Sequence, residues 1–433
     1  MESIWHATSQ MPHFPPLWGD INVDVLVIGG GMAGLLCAHS LQKAGISCAV
    51  AEAKTIGGGI TKNTTAKITS QHGLIYKKIA DKYGLEKAGL YLEANEKALT
   101  DLRELCQKID CDFYETDNFI YSTENKQKLE EELAVLQALG FPAELEEKLP
   151  LPVSTVGAVK FPHQARFHPL KFLSAIGENL TIYEDTPVEQ LTKEGALTPH
   201  GKIRAEAIVV ATHFPFLNKH GSFFLKLYQQ RSYVLALENV PEVSGMYLDE
   251  KENGLSFRMQ DGTLLLGGGG HRTGKQGGNW AELESFARVH YPAAKITHRW
   301  ATQDCMSLDG IPYIGRYSGS TPNLYVATGF NKWGMTSSMV SARLLTDLIC
   351  GRSSPYEAVF SPSRSMFHPQ LGVNAMESAM NLLSLSTKRC PHLGCALKWN
   401  PQERSWDCPC HGSRFEEDGT LIDNPATGDL KKK

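Results

Sequence analysis

The stretch from Val23 to Glu52 constrains this chain more than any other. Val23-Asp24-Val25-Leu26-Val27-Ile28 is a nearly continuous apolar run, as expected of a strand buried on both faces of a parallel sheet. Gly29-Gly30-Gly31-Met32-Ala33-Gly34 follows at once. Leu35 to Ala44 then reads as a helix stopped by Gly45, and Ser47 to Ala51 is a second apolar run that ends at Glu52. Strand, GxGxxG turn, helix and second strand closed by an acid form a dinucleotide-binding unit. Gly29 makes the tight turn, Gly31 lets a pyrophosphate approach the backbone, and Gly34 lets helix and strand pack closely. Met32 and Ala33, between these glycines, are further candidate cofactor contacts, and the N-terminus of the helix that follows stabilises phosphate charge. Glu52 is placed to accept from a ribose hydroxyl. A lone GxGxxG says little; here every part of its context is present.

The chain has 433 residues, 42% of them hydrophobic, enough for two or three domains. A net charge of −4 gives no sign of a nucleic-acid partner. The start, MESIWHATSQMPHFPPLWGD, lacks a basic segment followed by an apolar one, so no signal peptide is expected. Without a run of about 18 apolar residues, no membrane span is expected either. Lys431-Lys432-Lys433 reads as a solvated end. Ten cysteines in this length make no disulfide scaffold. Cys37, Cys48, Cys106, Cys111, Cys305 and Cys350 are scattered and read as buried or idle thiols, which suits a reducing, cytoplasmic setting, with peripheral membrane association left open.

The remaining four cysteines are concentrated near the end. Cys390-Pro391-His392-Leu393-Gly394-Cys395 and Cys408-Pro409-Cys410-His411-Gly412-Ser413 supply thiolates and imidazoles in the order Cys, His, Cys, His. Thiolates hold iron–sulfur clusters, and imidazole on one iron raises the reduction potential. A Cys₂His₂ zinc knuckle is the plainer alternative, but such sites usually open with two cysteines two to four residues apart. The two words resemble the ligand boxes of Rieske [2Fe–2S] proteins. That resemblance implies Cys390 and Cys408 on one iron and His392 and His411 on the other, with Cys395 and Cys410 matching the disulfide pair of the high-potential members. Rieske domains normally carry base strands ahead of the first box. Here a Ser-, Pro- and Arg-rich linker, Gly351 to Ser365, and a helical pattern over Leu371 to Leu385 lead almost directly to Cys390, so a small, truncated all-β domain is expected.

Further segments refine the front of the chain. Ala205 to Thr212 reads as a strand ending in Ala211-Thr212, and Asp309 to Gly315 precedes another strand, Leu324 to Gly329. Phe330-Asn331-Lys332-Trp333-Gly334-Met335-Thr336 opens a helix that runs to about Ile349, and Gly57 to Lys67 is a glycine-rich loop whose plain alternative is a surface turn. Together these resemble the D-amino-acid oxidase/glycine oxidase superfamily over roughly residues 20–355. The resemblance implies FAD, with the N-terminus of the last helix aimed at the flavin pyrimidine to stabilise negative charge there. It implies cofactor contacts from Thr65, Ala66 and Lys67, from Val188 at the adenine, from Ala211 and Thr212, and from Gly329, Trp333, Gly334, Met335 and Thr336. The whole chain resembles bacterial Rieske-tailed, glycine-oxidase-like FAD oxidoreductases.

Residues 76–150 are charged and helical in pattern, and 225–304 read mainly as strands. The expected fold is α/β plus β: a Rossmann-like FAD domain (20–75, 151–215, 305–355), an interleaved antiparallel-sheet substrate domain (76–150, 216–304), a linker and helix (356–386) and the Rieske domain (387–433). Tyr233, Arg258, His271 and Arg272 are the pocket candidates: an Arg can hold a carboxylate in a two-pronged contact and a Tyr can orient it. The plain alternatives are a solvated strand residue for Arg258 and a loop residue for His271. The expected activity is oxidation of an amine, amino acid or related small molecule, with electrons passing from flavin to the Rieske cluster and on to an external acceptor, protein or quinone. An O₂-using oxidase with a structural cluster, and a non-enzymatic electron-transfer or redox-sensing protein, are the alternatives. A ring-hydroxylating oxygenase is disfavoured, since no two-His-one-carboxylate iron motif is found.

Overall fold

A computed structural model describes every residue except Met1, Leu385, Thr387, Lys432 and Lys433. Leu385 at the end of the expected helix, Thr387 at the start of the expected Rieske domain, and two of the three terminal lysines therefore lie outside the described residues.

The dinucleotide unit forms where the sequence places it. Strand Ile21–Ile28 pairs in parallel with Cys48–Ala51 on one side and Gly201–Val210 on the other. These belong to an eight-stranded sheet ordered Tyr313–Arg316, Leu324–Thr328, Gly201–Val210, Ile21–Ile28, Cys48–Ala51 and Ile182–Tyr183, with Gly195–Thr198 pairing beside Gly201–Val210 and Gln190–Leu191 pairing with Gly195–Thr198. Helices Met32–Lys43 and Gly334–Ile349 pack against each other and supply many of the largest core's residues. Two glycines are dictated by the chain itself. Gly29 has φ +108°, and a Cβ there would lie 2.6 Å from the Ala211 carbonyl oxygen. A Cβ on Gly34 would fall 1.8 Å from the Gly29 carbonyl oxygen, so only glycine lets the helix sit this close to the turn.

A second, nine-stranded sheet faces the first. Its order is Lys295–Ser307, Leu227–Glu238, Thr263–Arg272, Ser256–Gln260, Met246–Asp249, Tyr114–Ser122, Gly157–Arg166 and Lys67–Ile68, with Glu144–Glu146 beside Gly157–Arg166. Pairing is antiparallel except between Met246–Asp249 and Tyr114–Ser122. Side chains alternate across it as strand geometry requires. Val234, Ala236, Leu265 and Trp300 join the core shared with the dinucleotide half. Tyr233, Leu235, Leu237, Phe257, Leu264 and Leu266 turn the other way and are covered by helix Trp280–His290. Residues 76–150 do contain the expected helices, Tyr76–Tyr83, Leu85–Cys106 and Lys126–Ala138, but also strand Tyr114–Ser122. Its first half is exposed or half-buried and carries Glu115 and Asp117, which hide the strand's period; only Asn118 to Ser122 is buried.

The tail is a four-stranded antiparallel sheet, Lys398–Asn400, Ser405–Asp407, Arg414–Glu416 and Leu421–Asp423. Its own core is small: Cys390, Cys395, Leu397, Cys408, Cys410, Phe415 and Ala426. Helix Pro369–Leu383 stands immediately ahead of it, where base strands would be. The Asn381 carbonyl accepts from the Ala396 amide at 3.0 Å and from Arg389 Nη1 at 3.0 Å, tying the helix to the first box. The preceding segment is pinned as well: Arg364 is buried against Asp309 at 2.8 Å and lies 3.8 Å over the Tyr313 ring. Among the described residues, no helix is long and apolar enough to cross a membrane.

Candidate functional site

At the glycine turn the protein leaves room for a ligand. A Cβ built at Gly31 would meet only Thr61 Oγ1, at 3.5 Å, so packing within the chain does not demand glycine there. A group approaching the start of helix Met32–Lys43 does, and this fits a pyrophosphate. Glu52 follows strand Cys48–Ala51; its carboxylate accepts from the Gly30 amide at 2.7 Å and the Lys54 amide at 2.9 Å. Burial pushes its pKa up, against the pull of those amides. Ala33 is buried one residue into the same helix. Ala211, buried, donates its amide to the Ile28 carbonyl and is followed by Thr212, and half-buried Val188 packs against the same hydrophobic cluster as Ile28.

The glycine-rich loop and the last helix are brought together. Thr336 Oγ1 donates to the Thr69 carbonyl at 2.9 Å and lies 3.0 Å from His72 Nε2. The His72 ring stacks on Trp333, centroids 5.1 Å apart. Burial holds the His72 pKa down to about 3, so the ring is neutral. Gly329, at φ +70°, Gly334 and buried Met335 complete the helix entry. Ala66 is also left-handed, at φ 52°, and Lys67 next to it is buried with Nζ 3.0 Å from Thr65 Oγ1. Burial, and then the nearby Arg258 charge, push the Lys67 amine down to about 7. Arg258 is fully buried, donates to the Thr65 carbonyl and to Gln260, and stacks over Trp5. It faces the dinucleotide half alongside its pairing partner Leu265.

The other three pocket candidates lie together, away from Arg258. Tyr233 stacks on His271 at 5.8 Å, with its hydroxyl 3.4 Å from Glu403 of the tail. Arg272 donates to the carbonyls of Pro409 (3.0 Å) and Cys410 (3.1 Å) in the second box and to Asn374 (2.9 Å). Sequence reasoning missed a polar cluster on the second sheet beside the entry to helix Gly334–Ile349. Asp304 pairs across the sheet with Gln230, whose amide donates to Glu252 at 2.8 Å. Lys332 Nζ contacts the Glu252 carbonyl at 3.3 Å. Asn331 and Lys332 are consecutive left-handed residues (φ 52° and 74°) just ahead of helix Gly334–Ile349, a strain of the kind that gathers at functional sites. Burial pushes the Asp304 carboxyl up to about 6, opposed by the charges of Lys332 and Arg231.

In the tail the four expected ligands converge. Cys390 and Cys408 are buried, and the His392 and His411 rings lie 4.9 Å apart at 88°. His392 Nδ1 and both ring nitrogens of His411 are buried without a hydrogen-bond partner. Buried polar atoms are normally satisfied, so these point to a missing bonding partner. Burial depresses both imidazoles, to about 3 for His392 and about 4 for His411, leaving them neutral as ligation requires. Two buried thiols and two neutral imidazoles fit a mixed-ligand cluster. Cys395 and Cys410 are free thiols here, and their sulfurs and that of Cys408 lie within 4.8 Å of one another.

Residues 24–348 match the family model for FAD dependent oxidoreductases, and 379–432 match that for the Rieske [2Fe–2S] domain. The chain belongs to the FAD dependent oxidoreductase family. It carries a C-terminal Rieske domain, so its cofactors are FAD and a [2Fe–2S] cluster. The Bacillus subtilis (strain 168) protein YhfW, named for a Rieske 2Fe–2S iron–sulfur centre, is 33% identical over 494 residues, covering 100% of this chain and 97% of that one. Gamma-glutamylputrescine oxidoreductase of Escherichia coli (strain K12) is 25% identical over 398 residues, covering 82% of this chain and 91% of that one. In fold, the chain resembles glycine oxidase from Geobacillus kaustophilus with a TM-score of 0.67 at 21% identity, over 80% of this chain and 99% of that one.

Proposed function

We propose that this oxidoreductase is a dehydrogenase of a small amine or amino acid that sends its electrons through the Rieske centre to an external acceptor. One observation carries the reading: two neighbouring strands, Leu227–Glu238 and Lys295–Ser307, serve both sites. Gln229, Arg231 and Gln303 reach the tail, at His411, Glu403 and Gly412, while the intervening Gln230 and Asp304 join the cluster beside Lys332. The tail and this polar cluster thus share one stretch of sheet.

When bound, FAD supplies a two-electron acceptor for a C–H bond next to nitrogen, and the [2Fe–2S] cluster supplies a one-electron exit. The chain's own part is binding and protons. Gly29, Gly31, Gly34 and Glu52 hold the dinucleotide, with Val188, Ala211 and Thr212 as further contacts. Thr65, Ala66, Lys67 and the entry Gly329, Trp333–Thr336 hold the ring end. Asp304, ionised above about pH 6, is the anionic group for the substrate's ammonium. Lys67, neutral in part near pH 7, is placed to take up a proton. Arg258 fixes the Thr65 carbonyl from the sheet side. An amine substrate is supported by the neighbouring Asp304 and Glu252 carboxylates and by the name of the Escherichia coli relative, an oxidoreductase of gamma-glutamylputrescine. Cys395 and Cys410, close enough to pair on oxidation, would clamp the two boxes together.

Anaerobic titration of the holoprotein with a panel of amines and amino acids tests this. Bleaching of the flavin by an amine, weakened by Asp304→Asn, is the expected result. No bleaching by any of them would favour a redox sensor fed by a partner.

A further inference from the structure

On the histidine side of the tail His411 is buried and His392 half-buried against the front of the chain. His392 Nε2 lies 2.8 Å from Asn218 Oδ1, to which it donates, leaving the unpartnered Nδ1 free for a metal. The Phe214 ring stands edge-on to both imidazoles, at 6.3 Å from His392 and 6.1 Å from His411, and Phe224 covers His411 at 6.4 Å. Gln229 spans the joint: its amide donates to the His411 carbonyl at 2.9 Å and the Asn424 carbonyl at 3.2 Å, and its oxygen lies 3.2 Å from His213 Nε2. A Cβ on Gly412 would lie 2.6 Å from Gln229 Cβ, so the box sits hard against this strand. Gln303 holds the Gly412 carbonyl at 2.9 Å, and Asn424 donates to the Phe214 carbonyl at 2.9 Å. His213 and Phe214 continue the chain from Ala211 and Thr212, the expected flavin-side contacts.

We propose that the histidine edge of the cluster is a fixed internal contact with the flavin half, closed to outside redox partners, with Asn218 positioning His392 and Gln229 positioning His411. Electrons then enter the cluster at this edge, which rests on the flavin-to-cluster reading above, and an external acceptor must meet the cluster on another face. Each transfer moves one electron, so two are needed for each two-electron oxidation of substrate, and two equivalents of a one-electron external acceptor take one electron each.

The test uses the full-length holoprotein with iron and sulfide quantified. Diethyl pyrocarbonate, followed by peptide mass spectrometry, should consume exposed His13 and leave His392 and His411 unmodified. Asn218→Ala should open His392 while His411 stays protected. Modification of both ligands at the rate of His13 would overturn the inference, and needs no variant to do so. Asn218→Leu should also shift the cluster's reduction potential and its paramagnetic resonance spectrum at unchanged iron content; an unmoved potential would deny Asn218 its positioning role. Gln229→Leu should slow reduction of the cluster by substrate-reduced flavin roughly tenfold or more, the scale of lost outer-shell contacts. A wild-type cluster that never receives electrons from flavin would sink the relay reading while leaving the footprint standing, so the two failures are distinct.

Discussion

Glu403 is the residue on which docking of the tail should depend most. Its carboxylate is 8% exposed and is shared by Arg231 of the second sheet, 3% exposed, and Arg414 of the tail, 6% exposed. Arg414 keeps Asp407 at 3.0 Å and Asp423 at 3.2 Å if Glu403 is removed, but Arg231 keeps no ion-pair partner among the described residues. Glu403→Ala therefore strands one buried guanidinium, a change that costs about 3–5 kcal/mol. At 1.4 kcal/mol per tenfold, opening of the tail should become about two to three and a half orders of magnitude more frequent. Glu417→Ala is the control, because Glu417 pairs with Arg404 where both are more than half exposed, and such pairs contribute at most about 1 kcal/mol. Native-state hydrogen exchange at strands Ser405–Asp407 and Arg414–Glu416 reads the opening directly. Equal exchange in the two variants would refute the claim that the Arg231–Glu403 contact holds the tail on the second sheet.

Gly31→Ala should leave the apoprotein's stability within about 0.5 kcal/mol while weakening FAD binding at least about tenfold by equilibrium dialysis. Gly34→Ala, with its Cβ 1.8 Å from a carbonyl oxygen, should instead lower stability by about 1–3 kcal/mol or more in urea, with or without FAD. Amine binding should weaken as pH falls through about 6, where Asp304 takes up a proton, and Asp304→Asn should weaken it at all pH values and remove that step. The Lys67 amine sits at about 7 in the fold against an ordinary 10.5, so the unfolded chain binds more protons between those values and stability rises with pH across that window. Lys67→Met should flatten that slope in urea midpoints measured against pH.

The dinucleotide unit and the two ligand boxes were legible because their chemistry is local. Gly34 is fixed by the Gly29 carbonyl five residues earlier, the strand–turn–helix unit forms in the structure, and the His392 and His411 rings come together. Strand Tyr114–Ser122 was not legible, since Glu115 and Asp117 on its exposed half break the alternation. Nor was docking of the tail. The period of Leu227–Glu238 marks two faces, but nothing local says that Gln229 and Arg231 will be covered by residues nearly two hundred positions later. Buried polar residues inside an otherwise apolar strand were the available signal. His72 was missed because its role comes from stacking on Trp333, far along the chain.

Freeze-quenched electron paramagnetic resonance of the anaerobic holoprotein, after addition of an amine that bleaches its flavin, tests the central claim most directly. The account predicts that the signal of a reduced, histidine-ligated [2Fe–2S] cluster grows in as the flavin gives up its electrons. A flavin fully reduced by substrate beside a cluster that stays oxidised, although a chemical reductant can reduce it, would contradict the account.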